Sequence, residues 1–308
     1  YAENDTTGYW HGVTPFEIES GKPKNLHPEE LSWSHLFSDL LTALMAERND
    51  LVIISPATVK GSGLEDLFSA YPKRTFDVGI AEGHALTLAS GLAVAGTHPI
   101  VSIYSTFMQR AFDQIIHDIA RMNLNITFLV DRSGLVGLDG ETHQGIYDES
   151  FLLSTPNTVV TMPSSDKEAK YLLNESLKQH GPFFIRYPRD LLKKNHLIQE
   201  ENHQFGKWIM ERVANSKRVA VIAVGQLLRS LKELIIEADL DVTLVNALFL
   251  KPHDQEMLSS LSEYETIVIY DAYATEFGFA SYLKTKLCEM SYKALYNKAL
   301  RDVIQRPD

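Results

Sequence analysis

The sequence predicts an α/β protein of two domains, each built on a mostly parallel sheet. Three observations lead there. Short apolar runs alternate with segments of helical period along most of the chain. A polar stretch, "KKNHLIQEENHQFG" at 193–206, interrupts the alternation. A second, shorter series then follows. Buried runs separated by helices need cover on both faces, and crossover helices on a parallel sheet provide it. The reading places one domain at 28–192, a linker at 193–206 and a smaller α/β domain at 207–308.

Residues 1–27 are polar and irregular, with Gly, Pro and Asn breaking every period, and read as a connector from an upstream domain that is missing here. The chain opens at Tyr1 rather than at methionine and is read as a piece of a longer protein or a processed chain. After Pro28, the residues Leu36, Phe37, Leu40, Leu41, Leu44 and Met45 form one helical stripe. "LVIIS" (51–55) reads as the first strand and "FDVGIAE" (76–82) as the second, followed by the small-residue helix "HALTLASGLAVAG". "PIVSIY" (99–104) is the third strand. A helix starts near Ser105, with Phe112, Ile115, Ile116 and Ile119 as its core stripe. "NITFLVD" (125–131) is the fourth strand, and a helix near 165–179 leads into "PFFIRYPR", the fifth. Beyond the linker, "VAVIAVG" (219–225), "DVTLVNALFL" (241–250) and "ETIVIYDA" (265–272) read as strands and "SLKELIIEA" as a helix.

The formal net charge of −11 disfavours a nucleic-acid binder, which gathers Lys and Arg to neutralise phosphates. A locally basic pocket for an anionic metabolite stays compatible with it. No apolar run approaches the roughly 20 residues of a bilayer span, so no membrane partner is expected. Cys288 is the only cysteine, which rules out a disulfide within the chain and fits a reducing, cytoplasmic setting. Its surroundings, "KTKLCEM", read as helix, and Cys288 is expected to be a packed small residue rather than a nucleophile.

Ligands of open α/β sheets gather at the carboxyl ends of the strands. Glu82, Tyr104, Asp131, Arg132, Arg186 and Arg189 all fall at or just past such ends. A carboxylate at position 82, amid "VGIAEGHA", is the oddest of them. The long glycine-punctuated loop "DRSGLVGLDGETHQGIYD" (131–148) carries Arg132, Asp139, His143 and Asp148, and long loops in compact domains are often functional. Asp113 and His117 form an i, i+4 pair, read as a solvated or subunit-facing contact. No phosphate loop, nucleophile elbow, H-E-x-x-H or Cys/His cluster occurs, and "GSGLED" (61–66) lacks the third glycine of a dinucleotide fingerprint. No protein-built metal site is expected. Each arginine could instead be ion-paired at a domain edge, and Tyr104 and Phe107 could be ordinary core.

"DVGIAEGHA", "YSTFMQRAFDQIIHD", "DRSGLVGLDGETHQG" and "RYPR" together resemble the 1-deoxy-D-xylulose-5-phosphate synthases of the transketolase-like, thiamine-diphosphate-dependent group. The likeness extends to "YWHGVTPFEIESGKP" near the start and weakens past residue 190. It implies a transketolase-type pyrimidine-binding domain followed by a transketolase C-terminal-type domain. It also implies a homodimer that decarboxylates pyruvate and transfers two carbons to D-glyceraldehyde 3-phosphate, for isoprenoid and thiamine precursors. Glu82 would contact the cofactor's pyrimidine from a dry pocket, favouring the tautomer that takes the thiazolium proton. Phe107 would stack on the pyrimidine, and Tyr104 would line the substrate side. Arg132 and Arg189, with Arg110 as a third contact, would bind the substrate phosphate. Asp139 and His143 would face the reacting carbons, with His143 donating a proton, and His11 would approach the site.

The resemblance places Mg²⁺ and the diphosphate in the missing upstream domain, so the chain alone is expected to be inactive. Gly83 departs from the family's usual glutamine, and "DAYATEFGFAS" (271–281) departs from its glycine-rich version. Two alternatives remain: half of a split transketolase or of a 2-oxoacid dehydrogenase E1 component, or a non-catalytic scaffold that kept the fold.

Overall fold

Runs of β-branched and aromatic residues pair into two large sheets, of seven and five strands, in the computed structural model, which describes residues 16–19, 31–192, 203–289 and 295–300. The chain divides into two units, residues 1–31 and 32–308. The first is described only at 16–19, a turn, and at Leu31. The second carries both large sheets.

Helix α1 (Trp33–Glu47) opens it, capped by Ser32, whose Oγ accepts from the His35 N–H at 3.2 Å. Strands β1 (Leu51–Ser55), β2 (Thr75–Asp77), β3 (His98–Tyr104), β4 (Ile126–Asp131), β5 (Val159–Thr161) and β6 (Pro182–Arg186) follow, all mutually parallel. Between them lie α2 (Glu65–Ala70), α3 (Glu82–Val94), the helical segments α4 (Ser105–Met108) and α5 (Phe112–Gln114), α6 (Asp148–Ser154) and α7 (Asp166–Ser176). The second series comprises β7 (Ile209–Arg212), β8 (Val219–Ala223), α8 (Leu227–Glu237), β9 (Thr243–Asn246), β10 (Phe249–Lys251), α9 (Gln255–Leu261), β11 (Thr266–Thr275), α10 (Phe279–Glu289) and β12 (Leu295–Leu300).

The larger sheet has the order β10-β5-β6-β4-β3-β1-β2 and the smaller the order β12-β11-β8-β9-β7. Strands β10 and β7 alone run antiparallel to their neighbours. Strand β10 is therefore the second series' contribution to the first sheet: Phe249 pairs with Thr161 and Lys251 with Val160. Lys251 also donates to the Leu153 carbonyl at 3.2 Å and the Thr158 hydroxyl at 3.1 Å. One apolar cluster runs under both sheets, from Trp33, Phe37 and Phe128 to Trp208, Phe249 and Phe279. At its centre Arg186 is fully buried. Its Nε donates to Asp148 at 2.6 Å and its Nη2 to Asp148 at 2.9 Å and to the Tyr273 carbonyl at 3.2 Å; Nη1 meets Glu149.

Several sequence readings change. The run "FDVGIAE" is not one strand. Asp77 Oδ1 accepts from the N–H groups of Ala57 (2.9 Å) and Gly79 (3.0 Å), and Gly79 turns with φ +69°. That turn ends β2, and Glu82 becomes the first residue of α3. The helix after Ser105 changes pitch, passing through a 3₁₀ turn (Gln109–Ala111) into a π-helical stretch (Ile115–Ala120). The wider π turn rotates Ile116 off the stripe, so it is exposed while Ile115 and Ile119 are buried. "DVTLVNALFL" splits into β9 and β10, which lie in different sheets. Cys288 is exposed on α10, because Leu283 and Leu287 take its buried face. Strands β5 and β7 and helices α2, α6 and α9 were not anticipated.

Burial also sets a pH response. His98, at the start of β3, is buried, with Nε2 2.9 Å from the Thr127 hydroxyl. Burial, then the neighbouring Arg48, pushes its pKa down to about 4, while Asp50 pulls weakly the other way. The unfolded chain binds this proton from roughly pH 6.5 downward, whereas the folded chain refuses it until about pH 4. The stabilisation is thus complete above the unfolded value and is lost as pH falls towards the folded one. Between about pH 8 and pH 5, His98 should cost about 2 kcal/mol of unfolding free energy. Urea titrations of wild type and His98→Gln at both pH values check this: the substitution should flatten the dependence by that amount.

Candidate active site

The carboxyl ends of β3, β4 and β6 bring six of the predicted residues into one chain of contacts. Tyr104 ends β3 and Phe107 follows in α4, their rings stacked at 5.4 Å between centroids. Phe107 meets the His143 ring edge-on at 5.2 Å. On the other side the Arg132 guanidinium lies over the Tyr104 ring at 3.7 Å. Arg132 Nε donates to Asp139 Oδ2 at 3.1 Å, and Arg189 Nη1 bonds the other oxygen of Asp139. One carboxylate thus bridges two guanidinium groups, with Arg132 buried and Arg189 exposed.

The loop 131–148 is folded back by a bridge between Gly134 and Gly145, whose backbone groups bond both ways at 2.6 and 2.8 Å. Position 145 admits only glycine, since a Cβ there would stand 2.0 Å from the Arg132 carbonyl oxygen. Two 3₁₀ turns, Gly137–Asp139 and Glu141–His143, set Asp139 and His143 along the loop. Thr106 donates to the Thr142 carbonyl at 3.1 Å, and His143 Nδ1 lies 2.9 Å from the Thr142 hydroxyl. Those bonds tie the histidine to the start of α4.

Glu82 lies in the first turn of α3 and is only 2% exposed. The amino end of a helix suits a carboxylate. Its Oε2 accepts from Arg110 Nη1 at 3.2 Å. Arg110 stands three residues past Phe107, so the same bent segment carries the aromatic pair and the partner of Glu82. Arg110 is therefore placed on Glu82 rather than beside Arg132 and Arg189. Arg186 is the structural centre described above, not part of this cluster. His11 lies outside the described residues.

Electrostatics follow from burial. Burial pushes the Tyr104 phenol up to about 12, against the pull of Arg132, so it stays a hydrogen-bond donor at ordinary pH. Asp131 is fully buried, and desolvation raises its carboxyl despite Arg132 and the hydroxyls of Ser34 and Ser62. Burial opposes the charge on Arg132, but Asp131, Tyr104 and Asp139 outweigh it and hold the guanidinium above its ordinary value.

The sequence reading missed Ser34, Gly61 and Ser62. Gly61 accepts from Arg132 Nη1 and Nη2 at 3.3 Å, and a Cβ there would stand 1.8 Å from the Tyr104 hydroxyl. Ser34 and Ser62 donate to Asp131. The signal was the "GSG" after β1, which the failed dinucleotide fingerprint had set aside.

Residues 29–194 match the family model described as transketolase, pyrimidine binding domain, and the chain belongs to that family. Among curated proteins it is 40% identical to the 1-deoxy-D-xylulose-5-phosphate synthase of Exiguobacterium sibiricum, over 91% of this chain and 45% of that protein. It is 38% identical to the synthase of a Geobacillus species, over 100% of this chain and 49% of that protein. The chain thus spans about half the length of these relatives. Two solved structures share the fold. A split-gene transketolase, described as an inactive beta4 tetramer, superposes with TM-score 0.77 at 22% identity, covering 90% of this chain and 91% of that one. A transketolase from Campylobacter jejuni gives TM-score 0.72 at 16% identity, over 87% and 42%.

Proposed function

We propose that this chain supplies the pyrimidine-side half of a thiamine-diphosphate-dependent 1-deoxy-D-xylulose-5-phosphate synthase. The observation that carries the reading is the continuous chain Arg189–Asp139–Arg132–Tyr104–Phe107–His143 at the strand ends, on a domain whose named relatives are such synthases. The overall reaction joins pyruvate to D-glyceraldehyde 3-phosphate with loss of CO₂, for isoprenoid and thiamine precursors. The reading takes the complete enzyme as a cytoplasmic homodimer. No described helix is long and apolar enough to cross a membrane.

The residues present fit the pyrimidine end of the cofactor. Glu82 is buried and gives Oε2 to Arg110, leaving Oε1 for a ring nitrogen, while Phe107 is a half-buried aromatic face. When bound, thiamine diphosphate supplies the carbon nucleophile and the electron sink. Mg²⁺ and the diphosphate end are assigned to a separate segment; among the described residues no group of three or more His, Cys, Asp or Glu side chains could hold a metal.

This chain's own residues bind and orient. Arg132 and Arg189 would take the substrate phosphate in place of the Asp139 carboxylate they now share, two forks onto one dianion. Tyr104, protonated, would offer its hydroxyl to the substrate. Asp139, released by the phosphate, would lie beside the acceptor's hydroxyl groups. His143 would deliver a proton to the oxygen that gains charge as the new carbon–carbon bond forms.

The test is turnover by the complete enzyme, this chain together with its diphosphate-binding segment. With pyruvate, D-glyceraldehyde 3-phosphate, thiamine diphosphate and Mg²⁺ it should release CO₂ and form 1-deoxy-D-xylulose 5-phosphate, and this chain alone should not. Transfer from a ketose phosphate, or acyl transfer to a lipoyl acceptor, in place of that product would reject the assignment. Inactivity toward all three would favour the scaffold reading.

A further inference from the structure

We propose that Asp131 is the positioning residue for Arg132, locking its guanidinium before any phosphate arrives, with the loop 58–64 holding Asp131 in turn. The proposal rests on the reading of Arg132 as a phosphate ligand. Asp131 ends β4 and is fully buried. Three donors from three parts of the fold converge on its Oδ2: Ser34 Oγ of α1 at 3.0 Å, Ser62 Oγ of the loop after β1 at 3.2 Å, and Arg132 Nη1 at 3.0 Å. An oxygen fixed by three elements is located by the fold rather than by its own side chain.

Other contacts hold Arg132 too. Its backbone is left-handed, φ +62°, which a non-glycine residue keeps only when its surroundings insist. The Gly61 carbonyl takes Nη1 and Nη2 at 3.3 Å, and the Tyr104 ring covers one face at 3.7 Å. The two carboxylates beside Arg132 therefore differ in kind. Asp139 sits on a 3₁₀ turn, is 21% exposed at its side chain and is shared with an exposed arginine, so an incoming anion can replace it. Asp131, enclosed with its serine donors, stays. A phosphate then meets a guanidinium that has no rotamer freedom left to lose, which is how preorganisation raises affinity.

Position and charge predict opposite results. Asp131 is an anion about 3 Å from the guanidinium, so charge alone says that removing it tightens phosphate binding. Positioning says that losing the acceptor loosens it, and that asparagine, which keeps an acceptor oxygen without the charge, restores it. The experiment is calorimetric titration of the full chain with inorganic phosphate, alongside thermal melts of each variant. Asp131→Ala should weaken phosphate binding by about tenfold or more, the worth of a charge-assisted hydrogen bond. Asp131→Asn should return to within about threefold of wild type, well inside the same range. The double variant Ser34→Ala, Ser62→Ala keeps Asp131 but frees it, and should weaken binding several-fold.

Asp131→Ala binding as tightly as wild type or tighter overturns the proposal, as does a wild type that binds no phosphate. Should Asp131→Ala not fold, unchanged affinity in the double serine variant overturns it instead. Turnover is measured separately: an enzyme that fails to make the sugar phosphate while phosphate binding follows this pattern rejects the synthase reading alone. Product formation without the pattern rejects the Asp131 role alone.

Discussion

Arg186→Met should destabilise the chain by about 3–5 kcal/mol, the cost of leaving one partner of a buried ion pair without its counter-charge. Methionine matches the arginine stem in length, so the loss would not be a packing loss. Arg186, Asp148 and Glu149 are all fully enclosed. Asp148 receives two N–H bonds from the guanidinium and Glu149 one, while the Phe279 N–H donates to the other Glu149 oxygen at 2.9 Å. Desolvation already raises the Glu149 carboxyl well above its ordinary value, with Arg186 pulling against it and Asp271 reinforcing it. Without the pull of Arg186, the Glu149 carboxyl should prefer the protonated form when folded. Groups whose folded pKa is raised stabilise below the unfolded pKa and lose that contribution as pH climbs. The variant's deficit should therefore be larger at pH 7.5 than at pH 5, and combining it with Asp148→Asn and Glu149→Gln should recover much of it. Urea unfolding at the two pH values measures both effects. A deficit below about 1 kcal/mol, in the range of an exposed pair, would show that the guanidinium is not what keeps the two carboxylates buried.

Glu82→Gln should lower turnover of the complete enzyme by about 10²- to 10⁴-fold, the usual worth of a positioned proton-transfer group, while the fold survives. The amide has the same shape and can still accept from Arg110. Arg110 is itself 58% exposed at its side chain, so the lost charge pair is largely screened by water. The loss should appear in kcat with the melting temperature almost unchanged. Arg110→Met separates the partner's role: Glu82 keeps its buried place at the head of α3, so turnover should fall less than in Glu82→Gln. Wild-type turnover in Glu82→Gln would refute the cofactor role given to this residue.

The strands at 51–55, 98–104, 126–131 and 182–186 were legible because each is a continuous apolar run that only a doubly covered sheet can bury. Val159–Thr161 was not, since three residues carry no period. "FDVGIAE" misled because apolar content hid the turn made by Asp77 and Gly79, although a D-x-G triplet is itself a turn signal. Helical periodicity placed Ile115 and Ile119 correctly and Ile116 wrongly, because it assumes one pitch throughout. In the site, six residues found by resemblance converge, while Glu82 and Arg110 pair with each other and His11 lies outside the described residues. What stayed hidden was the support beneath them: Ser34, Gly61 and Ser62 lie 97, 70 and 69 residues before Asp131, and no local pattern reports contacts across three crossovers.

The crossing of β10 into the larger sheet means that the two halves of residues 32–308 are not interchangeable cassettes. A version trimmed after residue 206 would lose Phe249 and Lys251, baring the hydrogen-bonding rim of Val159–Thr161 and the apolar floor under Phe183. Grafting this region onto a foreign scaffold, or shuffling its tail between homologues, must carry the triplet along or find another stopper for that rim.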